Sequence, residues 1–309
     1  MYMQQGTIKK KITISGLGLH CGLPVKLKLS PAEIDNGIIF YRTDLKKSLP
    51  IKAHWKNVIN ANLCTKISND NGDYVITIEH FMFSLYSLGI TNLNIEIDGP
   101  EVPILDGSAK IFIEELSKAG LLLQNKKLLD IEIIKTITVQ EKNKFIKYEP
   151  TRNNFLEINY TIDFQDQFIK KQNFILKNVQ KNFLEVYQCR TFCHQEDLEK
   201  IFAMGLAKGG SLDNAVVISG AKILNQEGLR YKDEFVRHKI LDCIGDLYLS
   251  GFFFNGKITC VQGGHELTAN LIRKIFENTA NYSIGSNISK KKIKKNTDKL
   301  TSLAIQAVV

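Results

Sequence analysis

The stretch from Asp233 to Gly251 constrains this chain more than any other. Val236, Ile240, Cys243 and Leu247 recur at i, i+4, i+7 and i+11, an apolar stripe that Leu241, Ile244 and Tyr248 widen. The spacing predicts a mostly buried helix, capped by Asp233 and ended by Gly251. Yet His238, Asp242 and Asp246 fall at i, i+4 and i+8 along one line of it. Two readings are open. The line is a solvated strip with an intrahelical His–Asp pair, or an imidazole and a carboxylate one turn apart grip one metal ion. Far upstream, Glu79-His80 opens a second expected helix, capped by Thr77, in which Phe81, Leu85 and Leu88 recur at i, i+4 and i+7. His80 is either a structural histidine or a third ligand, with Glu79 beside it to take a proton from water. Together these residue types suggest a hydrolytic zinc site with an open coordination position.

Gly264-His265 follows an expected strand over Lys257–Gln262. It reads either as a plain turn or as a loop-borne general acid that Asp246 could orient by accepting a ring N–H. Gly16-Leu17-Gly18-Leu19-His20-Cys21-Gly22 superficially resembles a dinucleotide fingerprint, but the third glycine is one place late and no strand–helix crossover follows. Those glycines are expected to form a tight connection, with His20 beside the site or buried in the turn.

The 309 residues suffice for one large domain or two medium ones, and 44% hydrophobic with 24% charged residues is an ordinary globular balance. No apolar run approaches the roughly 20 residues of a membrane-spanning helix. The N-terminus lacks the apolar core of a signal peptide, so the expected location is the cytoplasm. The six cysteines, none in a C-x-x-C pair, are read as reduced. Much of the +9 net charge is local, in Lys290, Lys291, Lys292, Lys294 and Lys295. That tail is a solvated segment, a contact with the anionic inner membrane surface, or a device that steers an anionic substrate. No nucleic-acid reading motif accompanies it.

Val25–Leu29 and Leu93–Ile97 alternate with period two, and further strands are expected over Ile131–Val139, Phe155–Ile162 and Ala215–Ile218. Helices are expected over Ser108–Ala119, Leu198–Met204 and Glu266–Asn278, and Asn125-Lys126-Lys127 reads as a linker. The expected fold class is α+β, in two similar domains of residues 1–126 and 127–285, followed by a lysine-rich tail over 286–309.

In their order, these motifs resemble one family. The stretches are Ser15-Gly16-Leu17-Gly18-Leu19-His20, Asn62-Leu63-Cys64-Thr65, Thr77-Ile78-Glu79-His80 and Glu101-Val102-Pro103-Ile104-Leu105-Asp106-Gly107-Ser108. The second half adds Thr161-Ile162-Asp163-Phe164, Cys189-Arg190-Thr191-Phe192, Lys208-Gly209-Gly210-Ser211-Leu212-Asp213-Asn214-Ala215, Asp233 to Asp242, and Gly264-His265. Spread over roughly residues 7 to 280, they resemble the UDP-3-O-acyl-N-acetylglucosamine deacetylases, zinc amidases of lipid A biosynthesis in Gram-negative bacteria.

The resemblance implies a β-sheet packed against two helices in each domain, with the site between the domains. It implies His80, His238 and Asp242 as ligands of Zn2+, with Fe2+ the alternative, and Glu79 as general base. It makes Thr191 an oxyanion donor, His265 a cationic partner or general acid backed by Asp246, and Lys239 a site residue. It further implies that Leu63 and Cys64 line the pocket, that Phe164 stacks on the nucleotide and that Phe192 contacts substrate. The segment 195–217 becomes an acyl-chain insert, for which Leu198, Ile201, Gly210, Leu212 and Val217 are the expected lining. Gln195 and Asn214 depart from the family's usual forms, which leaves acyl-chain length open. The implied substrate is UDP-3-O-acyl-N-acetylglucosamine and the expected assembly a monomer. Competing readings are a non-haem iron enzyme, since two His and a carboxylate also describe those sites, and a lipid- or nucleotide-binding module without catalysis.

Overall fold

A computed structural model describes residues 4–285 of the chain; the lysine-rich tail and the readings attached to it lie outside the described residues. Period-two alternation becomes strand where it was expected. In Pro24–Pro31 the side chains of Val25, Leu27 and Leu29 are buried while Lys26 and Lys28 face out. That strand lies second in a five-stranded sheet ordered Ile12–Leu17, Pro24–Pro31, Leu93–Ile97, Ile38–Arg42 and Ile51–Lys52. A small three-stranded sheet, Val58–Ile59, Lys66–Ser68 and Tyr74–Ile76, lies beside it in sequence. The second half carries a seven-stranded sheet built on Phe253–Val261, which pairs with Asp130–Ile133, Lys144–Glu149 and Leu156–Asp163.

Six α-helices are present among the described residues: α1 Glu79–Leu88, α2 Lys110–Ala119, α3 Val179–Asn182, α4 Leu198–Ala203, α5 Glu234–Tyr248 and α6 His265–Phe276. The class is α+β. All ten residues of α1 are buried, and α5 is buried except at Arg237 and Lys239. Both are core helices although each carries ionisable residues, and the two pack directly on each other. A Cβ added to Gly245 of α5 would lie 2.0 Å from the Glu79 carbonyl oxygen of α1. Only a glycine allows that approach. Among the described residues, none of the helices is long and apolar enough to cross a membrane.

Several local expectations are corrected. Asn125–Lys127 is not a linker but the end of the strand Leu121–Lys127, which pairs antiparallel with Gln4–Ile8. The strand expected over 131–139 breaks at residues 134–136, where Ile134 is exposed. Thr77 does not cap α1. It sits at φ +59, and its hydroxyl donates to Glu101 Oε1 at 2.8 Å. Asp233 precedes α5 without a capping bond, because its carboxylate accepts from Arg237 Nε at 2.7 Å. His265 is not on a loop; it opens α6, one residue after the N-cap Gly264.

Candidate metal centre

α1 and α5 deliver the ionisable groups to one point. One ligand atom from each of His80, His238 and Asp242 can be chosen so that all lie within 4.8 Å of one another, and all three residues are buried. Asp242 Oδ1 lies 3.4 Å from both His80 Nε2 and His238 Nε2. That oxygen is buried without a hydrogen-bond partner. An ionised oxygen left so would be costly, and a cation facing it and two imidazole nitrogens removes the cost. The donor set therefore fits a divalent metal. His238 Nδ1 lies 3.0 Å from the Cys189 carbonyl, so a proton on Nδ1 donates there and leaves Nε2 free to ligate. Burial pulls the His238 imidazole down to about 3, which keeps it neutral as a ligand must be. Burial alone would raise the Asp242 carboxyl, but the positive charge around it, with the Lys239 ammonium 2.7 Å from Oδ2, holds it well below the usual carboxylate range.

Glu79 stands beside the centre, 3% exposed, with Oε2 accepting the Thr65 backbone N–H at 3.1 Å. Burial raises its carboxyl. His265 Nε2 lies 3.9 Å from Glu79 Oε1, and His265 Nδ1 lies 2.7 Å from Asp246 Oδ2. The second Asp246 oxygen accepts the Thr65 hydroxyl. Burial would lower the His265 imidazole, but the charge and hydrogen bond of Asp246, with Glu79 and Asp242, lift it to about 9. The site thus holds a carboxylate poised to take a proton and an imidazole poised to hold one.

The family profile for UDP-3-O-acyl N-acetylglycosamine deacetylase matches residues 5–277. The chain is 44% identical to the UDP-3-O-acyl-N-acetylglucosamine deacetylase of Campylobacter fetus subsp. fetus, over 91% of this chain and 95% of the relative. It is 42% identical to the enzyme of the same name in Haemophilus ducreyi, over 89% and 91% of the two chains. This chain belongs to the UDP-3-O-acyl N-acetylglycosamine deacetylase family.

Around the centre, the residues expected to serve a deacetylase fall into two groups. In the first, Thr191 is held by main-chain bonds to Gly107 and Val216, both 2.8 Å, at the end of a strap leading into the strand Phe192–His194. The Phe192 ring packs edge-on to His238 at 6.2 Å and to Phe164 at 5.8 Å, with the Lys239 ammonium 5.8 Å from the Phe192 ring centroid. Cys64 helps line a cavity of about 390 Å3 that His265, Asp246 and Thr65 also line, together with Trp55, Asn62 and Arg273. Leu63 is not among its walls and stands exposed at φ +63.

The expected acyl-chain residues are more scattered. Leu198 and Ile201 are half-buried on α4, Gly210 and Leu212 are exposed, and Val217 is buried in the strand Val216–Ser219. None of the five lines the cavity beside His265. Besides Leu212, the insert's open large apolar side chains are Phe202 and Met204, about half exposed, and the sequence reading passed over both.

Sequence reasoning also missed the groups that hold the site in shape. Glu101 is wholly buried, and its carboxylate accepts the backbone N–H groups of His20 and Cys21 as well as the Thr77 hydroxyl. It ties the glycine loop to the start of α1. His20 is buried in that turn, and its loop in turn accepts the Gly209 N–H at the Leu19 carbonyl, 2.9 Å. Gly107, at φ +78, comes so close to Asn214 that an added Cβ would lie 2.0 Å from its carbonyl oxygen. The one signal available in advance was a glycine inside a helical pattern, Gly245, which marks a close approach.

Proposed function

We propose that this chain is a metal-dependent amidase that removes the N-acetyl group from UDP-3-O-acyl-N-acetylglucosamine, as the names of its relatives state for them, in the cytoplasm and as an early step of lipid A biosynthesis. The observation that carries the reading is the buried, unpartnered Asp242 oxygen facing two imidazole nitrogens beside a buried glutamate. His80, His238 and Asp242 would hold Zn2+, or Fe2+ in its place. A divalent cation there would supply Lewis acidity, lowering the pKa of water and polarising the acetyl carbonyl.

Glu79 takes the proton from the attacking water as hydroxide adds to the carbonyl carbon. Thr191 donates its hydroxyl where negative charge develops, and His265 in its cationic form adds positive charge beside it. The C–N bond then breaks, the amine takes a proton from His265 or from Glu79, and acetate leaves. Lys239 keeps Asp242 ionised. Phe164 and Phe192 offer ring faces to the nucleotide end, and the 195–217 insert receives the acyl chain, each buried methylene adding about 0.8 kcal/mol. We divide the chain at the end of the strand Leu121–Lys127 into two α+β units, with the metal centre where α1 of one meets α5 of the other.

The test is mass spectrometry of the acylated nucleotide sugar after incubation with native protein, chelator-treated protein, and treated protein given Zn2+ or Fe2+. The expected result is loss of one acetyl group, abolished by the chelator and restored by one of the metals. Acetyl loss that persists after complete metal removal would sink the reading.

The paired titrations also predict a pH profile. Activity rises as Glu79 loses its proton and falls as His265 loses its own near pH 9. In Asp246→Asn the countercharge that lifts His265 is gone and burial acts unopposed by it. The alkaline limb should then move down from about 9 toward or below 6.5. A limb that stays near 9 in kcat/KM would show that another group sets it.

A further inference from the structure

Arg190 is 1% exposed, among the largest fully buried side chains of the molecule, and no step above uses it. Its Nε donates to Glu234 Oε1 at 2.9 Å, and its Nη2 to Glu234 Oε2 at 3.2 Å and to the Gly228 carbonyl at 2.7 Å. Nη1 donates to the Glu227 carboxylate. Glu234, wholly buried, is the first residue of α5. Its oxygens also accept the backbone N–H groups of Arg190, at 2.9 Å, and Arg230, at 2.7 Å.

A guanidinium and a carboxylate taken out of water are seldom more stabilising than an apolar pair of the same size. Stability is therefore a poor reason for the pair, and its position offers a better one. Cys189, just before Arg190, supplies the carbonyl that orients the His238 ring. Thr191, just after it, carries the hydroxyl assigned to the oxyanion. Residues 189–191 belong to no strand, since the strand begins only at Phe192. Arg190 and Glu234 fasten that short strap to the very helix, α5, that bears His238 and Asp242.

We propose that Arg190 and Glu234 form a positioning pair that fixes two functional groups from one point: the Nδ1 partner of a metal ligand, and the oxyanion donor. The inference rests on the metal-amidase reading above. It predicts that metal affinity and turnover fall together when the pair is removed. A merely structural pair would lower thermal stability and leave both unchanged in the protein that remains folded.

The experiment measures three quantities for native protein and Arg190→Gln: thermal melting of the metal-free form, Zn2+ affinity by chelator competition, and kcat and KM separately. The expected result is Zn2+ binding weaker by about 10–100-fold. A kcat lower by about the same factor and a KM within about twofold should accompany it. Should Arg190→Gln fail to fold, Arg190→Met combined with Glu234→Gln leaves no charge buried and is expected to show the same losses. A folded variant with native Zn2+ affinity and native kcat overturns the proposal. Failure of the native protein itself to bind either Zn2+ or Fe2+, or to release acetate, would instead overturn the underlying reading, so the two failures are distinct.

Discussion

Glu79→Gln should yield a folded, metal-binding protein whose turnover is lower by about 10²–10⁴-fold, the usual worth of a positioned general base. Glutamine keeps the side chain's size and an oxygen to accept the Thr65 N–H that Glu79 Oε2 accepts at 3.1 Å. What it cannot do is take a proton, so the loss isolates that capacity. Glu79 is not one of the three groups facing the metal position, so metal content should match the native protein. Burial raises the Glu79 carboxyl, which means the protein bears a cost in keeping it ionised. Removing that charge should leave the metal-free variant at least as heat-stable as the native chain, the common trade of stability against activity. Acetate release, metal content and melting temperature are the three readouts. A variant within threefold of the native rate would move the base to another residue, with His265 the first to test.

Gly245→Ala should damage both stability and the metal centre. In an exposed helix the change would gain about 1 kcal/mol from helix propensity. Here the new Cβ would lie 2.0 Å from the Glu79 carbonyl oxygen and 2.8 Å from its carbon, both backbone atoms of another helix. Neither helix can swing a side chain aside, so α1 and α5 must part. Overpacking of that kind typically costs about 1–3 kcal/mol, which exceeds the propensity gain. Because His80 rides on α1 while His238 and Asp242 ride on α5, the parting also spreads the ligand set. A misplacement of about 1 Å can cost about 10² in rate. We expect a lower melting temperature, weaker metal binding and turnover reduced by at least that factor. An unchanged melting temperature and metal affinity would mean that the two helices slide past the added methyl at no cost.

What could be read in the sequence divides along the range of the interactions. Period-two strands such as Pro24–Pro31 and the apolar stripe of α5 are local patterns, and they appear where they were expected. The errors come from partners distant in sequence. Leu121–Lys127 ends in polar and charged residues and reads as a connection until Gln4–Ile8 pairs with it. Thr77 has the chemistry of a cap, but Glu101 claims its hydroxyl and φ +59 turns the chain away from a capping geometry. His238 and Asp242 at i, i+4 left a solvated pair and a metal pair equally open. Burial of both removes the solvated strip, and His80 joins them in space, where only a resemblance spanning the chain could bring it in advance. The supporting groups, Glu101, Arg190, Glu234 and Gly245, act through the same long-range approaches, and none has a local signature beyond a glycine within a helix.

The place of Phe253–Val261 in its sheet bears on how the protein is made. It is the strand that Asp130–Ile133, Lys144–Glu149 and Leu156–Asp163 all pair with, yet it leaves the ribosome long after them. Until it arrives those three strands keep open edges, which are templates for wrong pairing and aggregation. α5, with His238 and Asp242, also comes late, so during synthesis His80 waits without the two residues it meets in the fold. The second half of the molecule can close its sheet only around its last long strand, so its order of pairing is the reverse of its order of synthesis.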